Sequence, residues 1–267
     1  MRSNLMIPPN NFHGVWHKSL AAIFLMALVF SAGCIFDQCS GEATQTDDEP
    51  VEVEETTATA PAEVVPDRKI AEESEMVVLV HGLGRTQMSM MALEWSLERE
   101  GYQVFNWGYS STCCPVEELA QELADELKNL EDPRPTKIHF VGHSLGNIII
   151  RWVLSNDEPR EPGRVVMLAP PNHGAETADR YVDWFGWLLD PLDDLVTEEG
   201  STARQLPILE EREVGVIAGQ YDGKVSVDET RLEAHDDHAV VGAAHTFIMN
   251  RPDVHAKIIA FLEDAAF

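Results

Sequence analysis

Positive charge is what this sequence has least of. There are 19 Lys and Arg against 46 Asp and Glu, a formal net charge of -27 over 267 residues. Such a surface repels nucleic-acid phosphates and anionic lipid headgroups, so nucleic-acid partners are excluded. Cysteine is also scarce: Cys34, Cys39, Cys113 and Cys114 are the whole set. No second Cys or His pair stands at a zinc-ligand interval, so neither a structural metal nor a cofactor is expected. Cys113 and Cys114 are adjacent, a spacing at which a bridge would be unusually strained. Internal repeats are absent as well. Long apolar runs are nearly so, and the exception lies close to the N-terminus.

That exception is Leu20 to Phe30, preceded by Lys18 and followed by Ser31-Ala32-Gly33-Cys34. A weakly basic start, a short apolar core and small residues read as an export signal. Ser-Ala-Gly-Cys resembles a bacterial lipoprotein processing site, with Ser31 where an aliphatic residue is usual. Two readings stand for residues 1–36: lipidation at Cys34 after cleavage, or an uncleaved anchor. The run is short for a spanning helix, although Ile35 and Phe36 extend it. Either reading places the rest of the chain outside the cytoplasm, tethered to a membrane. Residues 37–75 are rich in Asp and Glu, interspersed with Thr, Ala and Pro. They cannot bury enough apolar surface to offset their ordering entropy, so a disordered spacer is expected.

From Met76 onward the pattern changes. Met76-Val-Val-Leu-Val80 is a short β-branched run of the kind buried on both faces of a sheet. Further strands are expected at 103–105, 138–141, 164–168, 214–218 and 238–241. Helices are expected at 89–99, 116–130, 144–154 and 255–262. Strands alternating with helices predict a parallel sheet covered on both faces. At 44% apolar residues, the chain can supply one sizeable core.

Gly142-His143-Ser144-Leu145-Gly146 falls between an expected strand and an expected helix. A nucleophile elbow sits at such a junction: the turn is tight, and the flanking glycines let strand and helix approach. Ser144 would project its hydroxyl at the carboxyl end of the sheet. The N–H of Leu145 would then face a developing oxyanion. His81-Gly82-Leu83-Gly84 follows the first strand, where a second oxyanion donor belongs, and Leu83 supplies the candidate N–H. Asp222 follows a later strand and could orient a histidine, or could simply form an Asx turn beside Gly223. Asp228 competes with it for the role. His245 lies between the last strand and the last helix, and is favoured by position over the other nine histidines. His143 stands inside the elbow, and His173 is placed to line the pocket. His235 and His238 are expected to be exposed, and His255 to cap the last helix.

Val80-His-Gly-Leu-Gly84, Phe140-Val-Gly-His-Ser-Leu-Gly146, Ala169-Pro-Pro-Asn-His-Gly174, Asp222-Gly-Lys-Val225 and His245-Thr-Phe247 carry a resemblance. The segment 76–267 resembles a compact α/β-hydrolase of the lipase and esterase branch. It is also similar to short bacterial hydrolases related to the GPI inositol-deacylase group. The resemblance implies a catalytic triad of Ser144, Asp222 and His245, with Leu83 and Leu145 as oxyanion donors. It implies a sheet of about six strands, since the acidic spacer occupies the place of two strands found in fuller members.

It also implies cleavage of lipid or other acyl esters through an acyl-enzyme. His81, His143, Trp184, Phe185 and Trp187 are candidates for the pocket or lid. The tryptophan-bearing insert reads first as an ordinary helix packed on the sheet, and as a lid or acyl-pocket wall second. Asp190, Asp193 and Asp194 are expected to be exposed helix-end acids rather than a calcium site. An acyltransferase would use the same triad with an alcohol in place of water. A catalytically idle, membrane-tethered binding module is the alternative from a different class.

Overall fold

The computed structural model describes residues 74–130, 134–157, 159, 161–186, 189–207, 209, 212–232 and 236–267. The export segment, nearly all of the acidic spacer, Trp187 and His235 lie outside them, as do the side chains of Trp184 and Phe185. Among the described residues no helix is long and apolar enough to cross a membrane.

Six strands form the sheet: β1 Glu75–Val80, β2 Gln103–Trp107, β3 Lys137–His143, β4 Pro162–Leu168, β5 Val214–Gly219 and β6 Asp236–Val241. Their order is β2-β1-β3-β4-β5-β6, and every pairing is parallel. Side chains alternate between the two faces of a strand. Val77 and Leu79 of β1, Val141 of β3, Val166 and Leu168 of β4 and Ile217 of β5 share one apolar cluster. It is closed by α1 Met91–Glu100, through Leu93 and Leu97. The last helix, Pro252–Asp264, closes it through Val254, Ile258, Phe261 and Leu262. The opposite face lies under α2 Val116–Lys128 and α3 Leu145–Asn156, which pack on each other, with α3 across β3 and β1. Burial on both faces explains why β1 carries four consecutive apolar residues instead of an alternating pattern.

The sequence of α2 dictates its orientation. Val116, Leu119, Ala120, Leu123, Ala124 and Leu127 are buried at three- and four-residue spacing, which is one helical stripe. Glu117 and Glu118 sit in its first turn, where the helix dipole favours acids. The tight fit of α3 depends on Gly146. A Cβ there would run into the carbonyl of Val80, so only glycine lets this helix begin against the end of β1.

The insert after β4 comprises α4 Glu176–Phe185, a 3-10 turn at Asp190–Leu195 and the single-turn helix α5 Thr202–Gln205. The last helix is therefore α6. Asp190 and Asp193 are exposed, as expected, but Asp194 is half-buried. Its carboxylate accepts the N–H of Val116 at 2.8 Å and the hydroxyl of Thr202 at 2.5 Å. It serves as a cross-link between the start of α2 and the insert. Buried Arg151 of α3 anchors the same region by donating to the carbonyls of Asn172, Ala203 and Leu206.

The structure joins the adjacent Cys113 and Cys114 in a disulfide. Two further expectations need correction. His255 does not cap α6: it lies in the first turn, is buried, and its ring N–H reaches the carbonyl of Met249 at 2.7 Å. His238 is half-buried rather than exposed, and its ring meets the hydroxyl of Thr230 at 2.9 Å.

Candidate active site

The strand register sets the site at the carboxyl edge of the sheet. Val80 aligns with Gly142, and His143 with Leu168, so the loops leaving β1 and β3 emerge side by side. Ser144 occupies the turn between β3 and α3 with φ 52° and ψ -121°. That is a rare conformation for a non-glycine residue, and here it turns a strand abruptly into a helix. The backbone holds it: the N–H of Ser144 donates to Leu168, and its carbonyl accepts from Asn147. Leu145 is the first residue of α3, so its N–H has no acceptor within the helix.

The loop after β1 lies directly against this elbow. A Cβ on Gly82 would come within 3.1 Å of the Ser144 Cβ and 2.8 Å of His143 Nδ1. Gly82 therefore permits the close approach of this loop to the elbow. Arg85 N–H closes a turn onto the carbonyl of Gly82 at 3.2 Å, and Gly84 takes φ 66° within it. Leu83, one of the two expected oxyanion donors, sits half-buried at the corner of this turn.

Asp222 and His245 come from separate loops and meet. His245 Nδ1 donates to Asp222 Oδ2 at 2.7 Å, and both side chains are nearly sealed from solvent. The other carboxylate oxygen accepts the N–H groups of Lys224 at 2.8 Å and Val225 at 2.9 Å. The Asx-turn geometry and the contact with histidine thus coexist in one carboxylate. Asp228 does not reach this place; its side chain is 95% exposed and pairs with Arg231.

His81 and His143 are both buried. His143 is buried, and its Nε2–H donates to the carbonyl of His245 at 3.0 Å, which ties the elbow to the histidine loop. Burial, reinforced by the neighbouring His245, holds its pKa well below the usual histidine range, so the ring is neutral. His81 is fully buried and stacks on Tyr109 at 4.2 Å. Burial lowers its pKa too. His173 is half-buried, and its backbone N–H donates to the carbonyl of Glu229. The three aromatic lid candidates have no described side chain, so the lid expectation lies outside the described residues.

Sequence reading missed several residues that shape the site. Arg85 donates to the carbonyl of Thr246 at 3.2 Å, joining the loop after β1 to the histidine loop across 161 positions. Tyr109 and Ser111, in the loop after β2, brace the loop after β1. No local pattern announces such contacts. Among the described residues there is no group of His, Cys, Asp and Glu suited to a metal ion.

The family described as "Putative serine esterase (DUF676)" matches residues 71–168, from β1 through the elbow to β4. No curated protein matches the chain. Among solved structures it is similar to the Bacillus licheniformis lipase BlEst2 in mature form, at 16% identity and TM-score 0.57. That alignment covers 74% of this chain and 94% of the lipase. The Pyrococcus furiosus esterase Pf2001 aligns at 18% identity and TM-score 0.53, covering 72% and 81%. Phospholipase PlaB from Legionella pneumophila aligns at 20% identity and TM-score 0.50, covering 72% and 63%. At these identities the likeness is one of fold, and none of these proteins bears on the expected kinship with the inositol-deacylase group. Sheet order, elbow and these likenesses together give the chain the α/β-hydrolase fold, with residues 71–168 matching a putative serine esterase family.

Proposed function

We propose that Ser144 is the nucleophile, His245 the general base and Asp222 its orienting carboxylate, acting through an acyl-enzyme. The observation that carries this reading is the 2.7 Å bond from His245 Nδ1 to a sealed carboxylate. It fixes the proton on Nδ1 and leaves Nε2 as the acceptor for the Ser144 proton. As the hydroxyl attacks the acyl carbonyl, charge develops on the carbonyl oxygen. The N–H groups of Leu83 and Leu145 are the proposed donors to it, and losing one such donor typically costs about 3 kcal/mol of transition-state stabilisation. The imidazolium then protonates the leaving alcohol, and water attacks the acyl-enzyme by the same route.

The substrate class we infer is an ester of an apolar acyl group, membrane lipids included. The lipase and phospholipase among the structural neighbours support that choice. We further propose that the enzyme works outside the cytoplasm, tethered through its N-terminal segment. The Cys113–Cys114 disulfide supports an oxidising compartment.

The test is labelling by a fluorophosphonate, alongside hydrolysis of short- and long-chain p-nitrophenyl esters, for wild type and Ser144→Ala. Wild type is expected to label and turn over, and Ser144→Ala to do neither. Equal labelling of both would overturn the assignment of Ser144. Transfer of the acyl group to an added alcohol in preference to water would identify an acyltransferase. A wild type inert to probe and ester, with lipid micelles present as well, would leave a binding module.

A further inference from the structure

The loop between β2 and α2 touches the site on two sides. Trp107 stacks on Tyr109 at 4.2 Å, and Tyr109 stacks on His81. The buried Tyr109 phenol donates to the carbonyl of His81 at 2.7 Å, and burial keeps that phenol protonated. Two residues on, Ser111 is also buried. Its Oγ accepts the N–H of Gly84 at 3.0 Å and donates to the carbonyl of Arg85 at 3.4 Å. Leu83 is thus held by contacts to its backbone neighbours on both sides. Next come Cys113 and Cys114, joined as a disulfide, with the N–H of Cys113 on the carbonyl of Ser110 at 3.3 Å. Val116 then bonds Asp194 of the insert. Ser111 faces inward, while Cys113 is exposed to solvent.

We propose that Ser111 is a positioning residue for the oxyanion loop, and that the Cys113–Cys114 disulfide holds it there, so that the redox state of this pair sets the catalytic rate. The inference rests on the reading of Leu83 as an oxyanion donor. A disulfide between neighbours closes a small ring through one peptide bond. It removes rotational freedom from both residues next to the segment that carries Ser111. Opening the ring returns that freedom and loosens the grip on Gly84 and Arg85. Misplacement of a reacting group by about 1 Å can cost on the order of 100-fold in rate. The effect falls on the transition state, which alone carries the oxyanion, and so on kcat rather than KM.

A dithiol such as dithiothreitol supplies the electrons. Its thiolate attacks the Sγ of Cys113, the exposed residue of the pair, the S–S bond breaks, and Cys114 leaves as a thiolate. The second thiol of the reductant then attacks the mixed disulfide, closes its own ring and releases the Cys113 thiolate. Two electrons pass to the cysteine pair, and the two protons lost by the dithiol balance those taken up by the cysteines.

The experiment compares full-length protein in detergent micelles before and after dithiol treatment, with the state of the Cys113–Cys114 peptide checked by mass. Amide exchange over residues 82–85 and p-nitrophenyl ester kinetics are measured on the same samples. Reduction is expected to speed exchange there and to lower kcat by roughly 10-fold or more, with KM little changed. A Cys113→Ser/Cys114→Ser variant should match the reduced enzyme and ignore the dithiol, which separates this pair from Cys34 and Cys39. Ser111→Ala should have low kcat in both states, and Ser111→Thr, which keeps the hydroxyl, should recover part of it. Unchanged exchange after confirmed reduction overturns the proposal whether or not any ester is turned over. Faster exchange with unchanged kcat overturns the link to catalysis. An oxidised protein that hydrolyses no ester and takes no fluorophosphonate overturns the ester reading, and the rate claim falls with it.

Discussion

Asp222 divides its carboxylate between two tasks. One oxygen holds the local turn through Lys224 and Val225, and the other holds His245. An amide at this position keeps the shape but presents an NH2 where an acceptor is needed. Asp222→Asn is therefore expected to fold normally and to lose roughly 10³- to 10⁴-fold in kcat, by the logic of a misplaced imidazole tautomer. Asp228→Asn, at an exposed site, should leave kcat within twofold. Steady-state kinetics of the two variants side by side would decide between the carboxylates, and a larger loss at Asp228 would reverse the assignment. His143 is a different kind of residue. Its buried ring acts as a spacer and tether, donating to the carbonyl of His245. Its position inside the elbow could be read from the sequence, but its hydrogen bond across 102 positions could not.

At the scale of elements, local signals were legible and long-range ones were not. All six strands appear where they are expected; burial on both faces leaves an apolar block in β1, β3, β4 and β5, while the edge strands β2 and β6 are shorter apolar stretches beside polar residues. The elbow was legible because the backbone chemistry of a strand-turn-helix junction demands small residues on either side of Ser144. The last helix begins three residues before the expected 255, since Pro252 opens it and the apolar pattern starts only afterwards. The insert was least legible. Its cross-links run from Asp194 to Val116, from Asp179 to Thr197, and from Arg151 to carbonyls of two segments. Polar residues of this kind leave no periodic trace. Asp194→Ala removes a side-chain acceptor from the first N–H of α2 and from Thr202. It should cost about 1–2 kcal/mol. A melting curve should show a fall of several degrees for Asp194→Ala and almost none for the exposed Asp193→Ala. Equal curves would show that the cross-link does not stabilise the fold.

For the whole molecule, three buried histidines make stability depend on pH. Burial lowers the pKa of His81, His139 and His143 from the ordinary value of 6.5. Below that value the unfolded chain binds protons that the folded chain does not, so unfolding is favoured as pH falls. Stability from this source is fully present above about pH 6.5 and declines progressively through the window beneath it. Melting temperature measured from pH 7.5 to 5.5 should drop, and His143→Gln should flatten the drop relative to its own value at pH 7.5. A melting temperature that stays level across that range would show that these rings are accommodated when charged.

The order of strands has one more consequence, for the chain as it is being made. β1, β3 and the elbow lie in the stretch matched by the esterase family, while Asp222 and His245 follow β5 and β6. During synthesis the proposed nucleophile therefore emerges about a hundred residues before its base. A nascent chain that has reached only the elbow therefore presents an unactivated serine. Ester turnover begins only when the sheet has received its last strand, so activity itself reports a completed fold.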